Sequence, residues 1–182
     1  MKRITTLLLL LFAAAVSHAQ LKPVEQASTL KFTIKNLGFD VDGSFTGFEG
    51  NISFDPQSLA ASSFDVTIKT ATINTDNNLR DEHLKGSSFF DARNYPNIRL
   101  TVSKVMPTNK IGLYMLNGQL TIKGKTQAIQ FPFSATAIAR GYQFKGSFKM
   151  KRKDFGVGGT STVADELEVV LDVTATKSQA SS

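Results

Sequence analysis

YMLNGQLTIKGKTQAIQFPFSA, residues Tyr114 to Ala135, is the stretch that decides the fold. Tyr114, Leu116, Gly118, Leu120 and Ile122 alternate with Asn117, Gln119 and Thr121. After Lys123-Gly124-Lys125 the alternation resumes at Ile129, Phe131, Phe133 and Ala135. A period of two puts apolar side chains on one face of a pleated ribbon, and the short Gly-containing break predicts an antiparallel hairpin. The rhythm extends in both directions. Leu30, Phe32 and Ile34 mark one strand, Phe64, Val66 and Ile68 another, and Ile98, Leu100 and Val102 a third. Tyr142, Phe144, Gly146, Phe148 and Met150 follow, then Leu167, Val169, Leu171 and Val173. One strand is irregular: Val41, Gly43 and Phe45 keep one phase and Phe48, Gly50, Ile52 and Phe54 the other, which predicts a bulge or sharp bend near Gly47. Counted once, it brings the total to eight, enough to close an antiparallel barrel around one small ligand or a packed core. Glycines 43, 47, 50, 118 and 146 fall inside these patterns, where a bend in the sheet or the close approach of a ligand accounts for them.

The first nineteen residues read as an export signal. Lys2-Arg3 precede the apolar run Leu7 to Val16, and Ser17-His18-Ala19 offers a small-x-small cleavage site, so the mature chain is expected to begin at Gln20. The run is too short for a membrane helix, and nothing later approaches the roughly twenty apolar residues a span requires. Residues 20–176 are expected to form one domain, with the polar 177–182 as a disordered tail. There is no cysteine, so packing and backbone hydrogen bonds alone must stabilise an exported chain. Of 21 basic residues two lie in the leader, leaving 19 against 15 acidic ones, a mild excess that suits a solvated surface.

RDEHLKGSSFFDARNYPNI, Arg80 to Ile98, breaks the strand pattern. Asn77 can cap a short helix carrying Leu79, Arg80, His83 and Leu84, and Gly86 can end it. Phe89 and Phe90 then offer two large rings, and Tyr95-Pro96 forces extended backbone into a strand from Ile98 to Val105. The element reads as a plug or lid.

That run resembles the YceI-like polyisoprenoid-binding proteins of the bacterial periplasm. So do Gly43 to Gly50 leading to Phe54-Asp55, Asn117 to Thr126, and Lys153 to Gly156 followed by Ala164-Asp165-Glu166-Leu167. The likeness runs from about Ser28 to Ala175. It implies an elongated lipocalin-like barrel, located in the periplasm, whose interior holds a long isoprenoid or similar lipid. Two positions depart from the pattern. Members usually open with Trp or Tyr before the first strand and a His-Ser pair there, whereas this chain reads Ala27-Ser28; where many carry His after that strand, it has Asn36. Both departures are expected near one end of the pocket, where they bear on the head group.

Catalytic and metal readings fail on inventory. The mature chain has one histidine, His83, where a zinc site needs three or four ligands. Asp40-Val41-Asp42-Gly43 begins like a calcium loop, but the twelfth position is Asn51. No G-x-S-x-G elbow occurs. Asp81, Glu82 and His83 sit on adjacent helix positions and cannot converge on one atom. Gly156-Val157-Gly158-Gly159 opens no helix and so lacks the geometry of a phosphate cradle. Lys149, Lys151, Arg152 and Lys153 are basic, but export argues against nucleic acid, and the cluster reads as a solvated rim or a lipid head-group contact.

Fourteen Phe with no Trp favour a hydrocarbon guest, since each methylene leaving water gains roughly 0.8 kcal/mol and a five-carbon isoprene unit about 4 kcal/mol at most. Inward phase nominates Phe32, Ile34, Phe45, Phe144 and Phe148 as wall residues, Phe89 and Phe90 as the lid, and Arg80 and His83 as the polar mouth. An internal salt bridge from Arg80 to Asp81, Glu82 or Asp91 is the competing assignment. No cofactor is expected beyond a bound isoprenoid lipid or quinone. Pairing into a homodimer through an exposed strand or end loop stays open. The alternatives are an outer-membrane barrel and an enzyme acting on a lipid head group through His83. A barrel filled by its own side chains would show the same pattern.

Overall fold

The central hairpin forms as β7 (Leu113–Ile122) and β8 (Lys125–Ile138), joined by Lys123-Gly124 with φ of 49° and 72°. Two successive positive φ angles give the primed turn whose twist matches the flanking strands. The protein, described here by a computed structural model over residues 20–177, continues the same antiparallel pairing on both sides. β6 (Asn97–Pro107) and β5 (Ser63–Lys69) lie beyond β7; β9 (Gly141–Lys151) and β10 (Val163–Lys177) lie beyond β8. The expected leader, 1–19, lies outside the described residues. Of the expected tail only Lys177 lies within them, and it closes β10 opposite Leu21.

Ten segments occupy eight lanes. β1 (Leu21–Pro23) and β2 (Thr29–Asn36) share a lane, because both pair with β10, at Ala175–Lys177 and at Val163–Asp172. β3 (Phe39–Phe45) and β4 (Glu49–Ser53) share the next, paired with β2 and β1. β4 also pairs with β5, so the ring β1-β4-β5-β6-β7-β8-β9-β10-β1 closes as an eight-stranded antiparallel barrel with, among the described residues, one α-helix, α1 (Asn78–Lys85). The bend expected near Gly47 is the β3–β4 break, with Gly47 at φ 77°. Glu25 sits in the single 3-10 turn between β1 and β2 and accepts from Gly47 N at 2.9 Å and Phe48 N at 2.6 Å. One carboxylate thus ties both broken lanes at the same height. Gly43 has a different cause: a Cβ there would collide with the Phe32 ring, its cross-strand neighbour.

The end bearing Leu21, Tyr114 and Tyr142 is filled. Phe54, just past β4, stands edge-on to Tyr142, Tyr114 and Phe144 at 5.0, 5.3 and 5.4 Å, with Phe64 and Phe133 completing the cluster. Burying each ring contributes about 1.5–3 kcal/mol, and edge-to-face contacts add to it. The outside is charged. Arg99–Asp65, Lys145–Asp172 and Lys149–Glu166 pair across outward positions at 2.6–3.0 Å. Arg99 holds the Asp65 carboxyl below the usual carboxylate range, and Glu166 raises Lys149. Ion pairs on outward strand positions are costly against lipid acyl chains and count against the outer-membrane alternative.

Candidate functional site

Inward-phase side chains do not fill the barrel between its two ends. Towards α1, about 1000 Å³ of unfilled space, counted to its open mouth, is lined by Phe32, Ile34, Phe45, Ile73, Met150, Val157 and Leu167, among others. Towards the aromatic cluster a second space of about 840 Å³, likewise counted out to where it opens, is lined by Ile52, Phe64, Phe131, Phe133 and Phe144. Both are walled almost wholly by carbon. Leu30, Ile68, Ile98, Leu120 and Phe148 line both, so the spaces adjoin across a collar of five side chains. The bore is hollow, not packed solid.

The lid follows the sequence closely. Asn77 accepts from Arg80 N at 3.0 Å and caps α1; Gly86 ends it. The final turn passes its carbonyls to the next segment, Leu84 O accepting from Phe90 N at 3.0 Å and Lys85 O from Ala92 N at 3.0 Å. Two rings are thereby set over the bore: Phe90 lies edge-on to Phe45 at 5.5 Å, and Phe45 lies 5.7 Å from Phe32. Lys123 straps the lid to the barrel by donating to Ser87 O at 2.7 Å and Gly156 O at 3.2 Å.

Two guanidiniums line the upper space. Arg80 donates through Nε to Thr75 Oγ1 at 2.7 Å and through a terminal nitrogen to Thr75 O at 2.6 Å. Thr75 Oγ1 in turn donates to the buried Asp81 at 2.5 Å. The competing assignment, a direct salt bridge, is therefore replaced by a relay through a hydroxyl, leaving other Arg80 N–H groups for the mouth. Arg152 is only 4% exposed and, among the described residues, forms no ion pair. It donates to the carbonyls of Ala164 at 2.9 Å, Val157 at 2.7 Å, Val163 at 2.8 Å and Gly158, and to Ser161 Oγ at 3.1 Å. It thus binds the Val157–Ala164 loop instead of joining a solvated rim, which corrects the expectation from the basic cluster.

Of the nominated residues, Phe32, Ile34, Phe45, Arg80, Phe89, Phe90 and Phe148 line the upper space, and Phe144 and Phe148 the lower. His83 does not line either. It is exposed on α1 with its ring against Phe89 at 5.0 Å, so the mouth is built without it. His83→Ala should leave lipid retention within twofold of the parent in a competition assay; a tenfold loss would restore it to the mouth. The two departures also separate. Asn36 lines the upper space and accepts from Thr162 Oγ1 at 2.7 Å. Ser28 is buried at the break between β1 and β2, donating to Val24 O at 2.7 Å. Only Asn36 stands at the mouth. Arg152 was readable, since it continues the inward series Tyr142, Phe144, Gly146, Phe148, Met150 while Lys149, Lys151 and Lys153 fall on the other phase.

Comparison with known proteins bears on this arrangement directly. The family model of the YceI-like domain matches residues 21–175. The chain belongs to the YceI-like family. A UPF0312 protein of Vibrio cholerae is 29% identical over 170 residues, covering 87% of this chain and 88% of that one. One from Photorhabdus laumondii is 31% identical over 153 residues, covering 78% and 79%. Among solved structures, Burkholderia cenocepacia BcnA superposes with a TM-score of 0.78 at 27% identity, covering 83% of this chain and 98% of its own. A polyisoprenoid binding domain from Saccharophagus degradans superposes at 0.72 with 14% identity, covering 89% and 100%, a likeness of fold.

Proposed function

We propose that this YceI-like protein is a periplasmic carrier that holds a polyisoprenoid or isoprenoid-quinone-like chain inside the barrel and performs no bond chemistry on it. The observation that carries this reading is the hollow, carbon-lined bore, plugged at one end by the Phe54 cluster and roofed at the other by Phe89 and Phe90. Such a space rewards hydrocarbon length and offers nothing to a polar guest, whose unmatched groups would lose water without replacement. Arg80 supplies the polar contact that fixes which end of the guest faces out. Branched isoprene units suit a bore of aromatic rings and branched aliphatics. The leader motif in residues 1–19 supports export, and the polyisoprenoid binding named for the Saccharophagus domain is consistent with the guest.

Under-detergent-free purification followed by solvent extraction and mass spectrometry should recover one long-chain isoprenoid per protein. Repeated recovery of protein with no extractable lipid, or with only a polar small molecule, would overturn the reading.

A further inference from the structure

The apolar surface of the bore does not stop at its mouth. Phe39 shares the inward phase of β3 with Val41 and Phe45, which line the upper space, yet lies beyond the rim and is 77% exposed. Next to it the β2–β3 turn is Leu37-Gly38, with φ of 52° and 86°. That geometry favours Asn or Gly at the first position and strains a leucine, whose side chain is 71% exposed and gains nothing from burial. Leu37 N donates to Thr162 O at 3.4 Å. Across the mouth Leu79, beside Arg80 in the first turn of α1, is 87% exposed. Folding explains none of the three.

We infer that Leu37, Phe39 and Leu79 form a bilayer-docking rim that inserts into the membrane surface so that a lipid passes between bilayer and bore without crossing water. The occupant follows from continuity: the inward phase of β3, which lines a hydrocarbon site at Phe45 and Val41, continues outward to Phe39. Each methylene drawn through water would cost about fourfold in equilibrium, so a mouth in contact with the bilayer removes that penalty. Charge plays a minor part. Along the hairpin Lys31 and Lys35 balance Asp40 and Asp42, and Lys35 is paired with Asp40 at 2.8 Å. Docking therefore works on zwitterionic bilayers and resists salt.

This inference rests on the carrier reading, and the test separates the two. The chain has no tryptophan, so Leu37→Trp creates a sole reporter at the mouth, and Ile111→Trp one at the opposite, plugged end, where Ile111 is fully exposed. With phosphatidylcholine vesicles, emission from position 37 should shift to the blue and be quenched by brominated acyl chains, while position 111 stays unchanged. Leu37→Asn combined with Phe39→Ser should weaken vesicle partitioning at least tenfold and leave the thermal midpoint equal or higher. No shift at position 37, equal shifts at both ends, or a concentration-dependent shift without vesicles, which would mark a second copy as the occupant, each overturns the inference. Solvent extraction of the same sample discriminates: protein that carries lipid but ignores vesicles sinks the docking rim alone, and protein that docks but carries none sinks the carrier alone.

Discussion

Arg152→Leu should lower folding stability by about 4 kcal/mol in urea denaturation, one of the two largest effects expected of a single substitution here. The side chain is a hub of donors. Its loss strands the carbonyls of Val157, Gly158, Val163 and Ala164, each costing about 1–3 kcal/mol where water cannot reach it. The total falls below that sum because the loop can rearrange and hydrate. Lysine is expected to recover less than half of the loss, since an ammonium has three N–H groups on one atom and the guanidinium has five spread over a plane. The damage should reach the lid, because Gly158 N donates to Ser88 O at 2.9 Å and Val157 packs in the same cluster as Phe89. A loss under 1 kcal/mol would mean that the loop holds its shape unaided.

Leu30→Trp should divide the bore. Leu30 belongs to the collar between the two spaces and is only half-buried, so an indole has unfilled volume to enter. A guest long enough to cross the collar should bind at least a hundredfold more weakly, while a short prenyl alcohol that fits the upper space should keep its affinity within about threefold. The thermal midpoint should hold or rise, because filling a void restores dispersion contacts. Equal losses for long and short guests would show that they share one space, and no loss for either would place the guest outside the bore.

The eight lanes were legible because their signal is redundant: a strand with one wet and one dry face repeats its register several times over. Asn77, Gly86 and the Tyr95-Pro96 step were legible for a different reason, each being a residue whose local chemistry leaves few choices. β1 escaped notice because Leu21 to Pro23 is too short to establish a period, although its pairing closes the ring. The bore's existence was also beyond reach, since alternation reports which way a side chain points and not how much room it finds there. His83 was misplaced because a lone titratable residue on a short helix attracts functional interest, while the helix turns it outward. Arg152 was hidden among lysines of opposite phase. Composition grouped four basic residues that fall on two different phases of the sequence.

β3 is bonded along one side only, apart from the single bridge between Ser44 and Asn74. Val41 and Phe45 of β3 line the upper space together with Thr75, Arg80 and Leu84 on the helix side. Parting a ladder of backbone hydrogen bonds is a local-unfolding event of microseconds or slower, whereas exposed side chains change rotamer in picoseconds to nanoseconds. On the carrier reading, a guest that enters along this open side of β3 needs only side-chain rotation there, and no ladder has to part. On that reading, substitutions at Val41 or Leu84 should change the speed of loading and leave the thermal midpoint in place.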